Sequence, residues 1–252
     1  LNLNEKQIKA LLEKMGYSYS KSIAEVPAYR ADILHEVDLI EDIAIAYGYE
    51  NFIPEIPEIS TIGESNKKAV IKNKIAEILA GLSLLETSSY HLTTKEMQIK
   101  KPGFKGEEII EVENSKTEYS ILRKDVSHYL LKILSENVDV EYPQEIFQIG
   151  TVFSNYNEHE NLAIALCPGN FTKLKQYLEY LKRMLNIKIE IKNPETIPVY
   201  YIEGRVAEIS FNGKTIGYFG EVHPRVLKNF KIKMPVALLE INLDEILTIL
   251  SS

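Results

Sequence analysis

A single cysteine, Cys167, stands in 252 residues. One thiol excludes an internal disulfide and any zinc site built of cysteines alone, and it points to a reducing, cytoplasmic setting. Cys167 itself reads as a free, buried thiol. Positive charge is short as well. The formal net charge of -7 argues against a generally basic nucleic-acid binder, while a local basic patch would still attract phosphate. No apolar run approaches the roughly 20 residues of a membrane-spanning helix, and no signal-peptide pattern opens the chain. There is no glycine-rich phosphate loop of the Walker type. Ser120, Ser127 and His128 form no recognisable nucleophile motif. Internal repeats and low-complexity tracts are missing too. The chain starts at Leu1, already inside a patterned segment, so a natural N-terminal portion is expected to precede it.

What is present divides at a stiff connector. Asn4 and Gln7 have capping-box spacing, Ile8, Leu11, Leu12 and Met15 follow at helical spacing, and Gly16 is a natural stop. A strand-like piece, Glu25–Pro27, precedes a second helix expected over Asp38–Tyr47, with Gly48 after it. These elements suggest a small helix–strand module, winged-helix-like, too small to be very stable alone. Ile53-Pro54-Glu55-Ile56-Pro57-Glu58 cannot continue a helix and makes an extended connector, which places the boundary between residues 1–60 and 61–252, near Ser60–Ser65.

The second region reads as helices over Asn66–Leu82, Asp125–Asn137 and Thr172–Leu185. Strands are expected at Glu86–Thr93, Glu108–Val112, Glu145–Phe153, Asn161–Leu166, Ile187–Ile191, Val206–Phe211, Thr215–Phe219 and Val236–Ile241, with a polar loop at Lys100–Glu107. Asn212-Gly213 between two strand-like runs is a strong hairpin signal, because a two-residue turn there needs positive φ. Helices and hairpins grouped in this way favour an α+β fold with a mainly antiparallel sheet. Lys67, Lys68, Lys72 and Lys74 form either a phosphate-facing or a solvated helix face. Tyr177 and Tyr180 are candidates for subunit contact or for the core.

The stretch richest in chemistry runs from Val26 to Tyr49. If Asp38 opens a helix, then Asp38, Glu41 and Asp42 share one face of its first turn, with Asp32 six residues upstream. Carboxylates that close repel one another unless a cation or a basic partner sits among them. Magnesium, which prefers oxygen ligands and keeps several waters, is one occupant. Two other readings stay open: acidic side chains favoured by the helix dipole with no ligand at all, or Arg30 paired with one of them. His35 reads as a surface or capping residue.

Val26-Pro27, Arg30-Ala31-Asp32, Asp38-Leu39-Ile40-Glu41-Asp42 and Ala46-Tyr47-Gly48-Tyr49 resemble the B5 domain of phenylalanyl-tRNA synthetase beta subunits. The resemblance continues through Glu113-Asn114-Ser115, Tyr119-Ser120-Ile121-Leu122-Arg123, Leu130-Leu131 and Asn137, and through Ile146-Phe147-Gln148-Ile149-Gly150. It extends to Phe171–Leu181 and Gly217-Tyr218-Phe219-Gly220-Glu221-Val222-His223-Pro224. It therefore covers nearly the whole chain.

The resemblance implies a B5 domain followed by a class II synthetase-like module of antiparallel sheet and flanking helices. It also implies magnesium held by Asp32, Asp38, Glu41 and Asp42. Gln148 stands where relatives commonly carry Glu, and Asp42 stands where bacterial members usually carry Glu, which points to the archaeal and eukaryotic branch. The family's active site lies in the alpha subunit, which pairs with beta in a heterotetramer of two alpha and two beta chains that joins phenylalanine to its tRNA using ATP. No catalytic residue is expected here. Adenylyl chemistry needs cations on the phosphates, yet Phe147–Phe153 holds no arginine, and Arg225 is the only one after Gly220. A structural, assembly-forming role follows, with either a persistent dimer or a conspicuously apolar face expected. The alternatives are a free-standing pseudo-synthetase that binds an amino acid or nucleic acid, and a small carboxylate-metal enzyme.

Overall fold

Asn4 and Gln7 close a reciprocal cap, each side chain accepting from the other's backbone amide at 2.9–3.0 Å, and helix α1 runs from Glu5 to Lys14. The computed structural model describes residues 2–106 and 108–251. Glu107, at the end of the expected polar loop, lies outside them. The chain forms two compact units that divide between Gly63 and Glu64.

In the smaller unit α1 is followed by an antiparallel hairpin, β1 (Ser18–Ser20) and β2 (Ile23–Glu25). Lys21 and Ser22 make its two-residue turn with φ of +52° and +61°. The strand therefore lies two residues before the expected Glu25–Pro27, because Val26-Pro27 leaves the ladder. Helix α2 (Glu36–Tyr47) starts two residues ahead of Asp38, because His35 caps it: Nδ1 accepts from the Val37 amide at 3.2 Å. Gly48 ends it with φ of +96°, a conformation that suits glycine. Leu11, Leu12 and Tyr17 form the buried centre of the unit.

The larger unit is built on a seven-stranded sheet in the order β3-β6-β7-β11-β10-β9-β8. Its strands are β3 (Leu85–Glu86), β6 (Gln144–Ser154), β7 (Asn157–Cys167), β8 (Ile189–Lys192), β9 (Tyr201–Phe211), β10 (Lys214–Val222) and β11 (Ala237–Asn242). All neighbours pair antiparallel except β3 with β6, so the sheet is mixed at that edge. The expected strand Glu86–Thr93 is interrupted: only its ends pair, Leu85–Glu86 as β3 and β4 (Leu92–Thr93) with β5 (Ile121–Leu122). Of the expected strand Glu108–Val112, a single bridge from Glu111 to Ile121 remains among the described residues.

Both faces of the sheet are covered. On one, α3 (Lys67–Gly81), α5 (Phe171–Leu185) and α7 (Asp244–Ser251) set Ile75, Leu79, Leu178 and Leu247 against Leu162, Ile164, Leu166 and Leu239. On the other, α4 (Ser127–Glu136) and α6 (Pro224–Phe230) set Leu130, Leu134, Val226 and Phe230 against Ala163, Ala165, Cys167 and Leu238. β7 alternates leucine or isoleucine with small residues because its two faces meet different helix layers. Cys167 is the buried free thiol the sequence suggested, and burial raises it to about 11.

Candidate functional site

The acidic stretch of the smaller unit gathers around Arg30. Its Nη1 donates to Asp42 Oδ2 at 2.7 Å, while Nε and Nη2 clamp both oxygens of Asp32 at 2.7–3.1 Å. Asp42 is the one buried acid of α2, and the Tyr17 hydroxyl donates to the same oxygen. The bonds to Asp32 and Asp42 raise the guanidinium's pKa further. Arg30 in turn holds the Asp32 carboxyl below the usual range, and it does the same for Asp42 against the cost of burial. Burial, reinforced by the Asp42 bond, pushes Tyr17 up to about 12.

Asp38 is engaged differently. Its Oδ2 accepts from the amides of Leu34 and His35 at 2.8 Å, a capping role that lowers its pKa. Glu41 is exposed. The four expected ligands thus fall into a pair held by Arg30 and a pair on the outer first turns of α2. Among the described residues, no three acidic, histidine or cysteine side chains converge as a metal-ligand group. The donor chemistry of Asp38 and Glu41 suits a hydrated magnesium, whereas Asp32 and Asp42 already share a protein cation.

In the larger unit, two motif stretches that lie apart in sequence meet at Arg123. This side chain is 1% exposed, and its bonds run to oxygens without charge. Nε donates to the Thr151 carbonyl at 2.6 Å, and Nη1 donates to the Ser89 carbonyl at 3.1 Å and hydroxyl at 2.9 Å. With the Gln148 amide oxygen turned toward it, Nη1 also donates there at 3.1 Å. Gly150 leaves the room this needs, since a Cβ there would stand 2.5 Å from Nη2. Desolvation lowers the arginine's pKa.

On the same face Glu240 of β11 accepts from the backbone amides of Val126 and Ser127, each at 2.9 Å, and from Asn161 at 2.7 Å. A strand carboxylate thereby caps α4, a contact across 114 residues that no local spacing announces. Burial, with Asp125 nearby, raises its pKa. His128 is fully buried between the rings of Phe104 and Tyr200. His223 caps α6, its Nδ1 accepting from the Arg225 amide at 3.1 Å. Tyr177 donates to Glu145 at 2.6 Å, and Lys72 pairs with Glu160 at 3.2 Å.

Grooves of about 300 Å³ (beside Leu85, Ile133 and Glu145) and about 550 Å³ (beside Lys175, Lys192 and Arg205) lie at the two edges of the sheet. The central strands face packed helices instead. No described helix is long and apolar enough to cross a membrane.

Two family models match the chain. The phenylalanyl-tRNA synthetase beta chain CLM domain matches residues 53–243, and the tRNA synthetase B5 domain matches residues 1–49. Similar curated proteins include the phenylalanine–tRNA ligase beta subunit of Pyrococcus abyssi, 38% identical over 96% of this chain and 46% of the relative. That of Archaeoglobus fulgidus is 39% identical over 97% and 46%, and that of Methanocaldococcus jannaschii 38% over 87% and 41%. The chain spans a little under half the length of these relatives.

Proposed function

This chain belongs to the phenylalanyl-tRNA synthetase beta-chain family, and on that premise we propose that it serves as an assembly-forming part of a phenylalanine–tRNA ligase, without an ATP-activating site of its own. The reading rests on the second face of the sheet. An adenylating site needs an open face with cations aimed at phosphate. Here Ala163, Ala165 and Leu238 lie beneath α4 and α6, and Arg123 directs Nε and Nη1 to protein oxygens. Chemistry then falls to an alpha subunit, which the beta-subunit names of the relatives imply. The proposed assembly contains two alpha and two beta chains, works in the cytoplasm and takes up tRNA as a whole.

Exposed apolar surface supports an assembly role. Nearly half of the exposed large apolar residues, including Leu34, Val37, Ile40 and Ile45 on or beside α2, lie before Gly63. Surface of that kind marks interfaces. Magnesium belongs to the same proposal, with Asp38 and Glu41 as its protein ligands and water completing the shell. Asp32 and Asp42 would join only on release of Arg30. A bound ion would neutralise the exposed acids of α2 and fix its first turns.

The decisive experiment mixes the purified chain with an alpha subunit of this family. Co-elution is expected, together with phenylalanine-dependent ATP–pyrophosphate exchange by the mixture and none by the chain alone. Exchange by the unaided chain would refute the proposal.

A further inference from the structure

Ile53, Ile56, Ile59 and Ile62 recur every third residue and are 87%, 93%, 81% and 101% exposed. Four β-branched apolar side chains this exposed, at one fixed spacing, are not explained by a need for a connector, which polar residues would meet equally well. The backbone from Ile53 to Ser65 forms no helix or strand. Phe52, just before it, has φ −79° and ψ +134°, and Asn66, just after it, φ −58° and ψ +128°, both close to polyproline II. Pro54 and Pro57 fix the same φ inside the segment. Polyproline II has three residues per turn, so a period of three places the isoleucines along one edge. The charges between Ile53 and Asn66 are all negative: Glu55, Glu58 and Glu64.

We propose that residues 53–62 form a preformed docking strap, whose isoleucine edge seats in an apolar groove with a basic rim on the other subunit of the ligase. The occupant follows from complementarity. An acidic strap with an apolar edge fits a groove with an apolar floor and cationic walls, and a stiff extended ligand loses little entropy on binding. This deepens the assembly reading and rests on it.

The test compares the full-length chain carrying this sequence with two variants in binding to the alpha subunit. One replaces Ile53, Ile56, Ile59 and Ile62 with serine and keeps both prolines. The other is Glu55→Lys with Glu58→Lys. Circular dichroism and melting temperature should match the parent, because the altered side chains are exposed. The serine variant should bind on the order of 100-fold more weakly, and the lysine variant should weaken binding most at low salt. A synthetic peptide of residues 51–65 should compete, and one with the isoleucine period broken should not. Parent-like affinity of the serine variant would overturn the strap while leaving the assembly reading intact. Failure of the parent itself to bind would overturn both. Loss of self-association alone would make a second copy the occupant and overturn the assignment.

Discussion

Arg30 donates to Asp42 at 2.7 Å across twelve residues and ties the loop before α2 to the one acid that α2 buries. The same guanidinium clamps Asp32, so a protein cation balances two of the four expected metal ligands. Arg30→Met should lower the melting temperature of the smaller unit by leaving Asp42 buried with Tyr17 alone. Arg30→Lys should recover only part of it, because an ammonium cannot clamp one carboxylate and reach a second in the planar geometry of a guanidinium. Near-ultraviolet circular dichroism through Tyr17 would read the change.

Acid should weaken this unit. Asp32, Asp38 and Asp42 all titrate below their ordinary 3.8, so the unfolded chain takes up protons first as pH falls. Their stabilisation is present above 3.8 and is lost as pH drops from there through the lower native values. Urea midpoints measured between pH 7 and pH 2 should decline in that window. A rising midpoint there would contradict the geometry.

Arg123→Ala should cost about 2–5 kcal/mol, since it leaves a cavity and strips donors from the carbonyls of Thr151 and Ser89. Gly150→Ala should destabilise as well, by pushing a Cβ into Nη2. Equilibrium denaturation of the larger unit checks both, and parent-like stability of Arg123→Ala would refute the role given to its bonds.

Glu240→Ala should cost about 2–4 kcal/mol, because the amides of Val126 and Ser127 and the Asn161 side chain lose their acceptor. The pH response has the opposite sign to that of the aspartates. The pKa is raised above 4.5, so its contribution is full below 4.5 and is lost as pH rises through the native value. Glu240→Gln should remove that dependence while keeping one acceptor. Denaturation midpoints against pH separate the two variants.

Magnesium titration followed by NMR should move the side-chain signals of Asp38 and Glu41 before those of Asp32 and Asp42. Asp38→Asn with Glu41→Gln should abolish the response. Unchanged spectra at millimolar magnesium would remove the ion from the proposal.

Much of the fold was legible because local physics decided it. Asn4 with Gln7, Asn66 and Asn170 each cap a helix that the apolar spacing already outlined. Asn212-Gly213 announced its hairpin through a turn that needs positive φ, and both residues have it. Lys21-Ser22 and Asn155-Tyr156 make two-residue turns of the same kind with far weaker signals, so the sequence shows the first hairpin only as a strand-like piece and the β6–β7 ladder shorter than it is. Helices α6 and α7 escaped because seven or eight residues give periodicity too little length to register.

Neighbours within a few residues decide α1, α3 and α5 with their asparagine caps, the extended isoleucine connector and the spacing of the acids on α2, so the chain alone announces them. Tertiary structure alone decided which carboxylates share Arg30, where the donors of Arg123 go and that Glu240 caps α4. Those pairings join residues between two and 114 positions apart, and only the folded backbone fixes the distances over which charges and hydrogen bonds act.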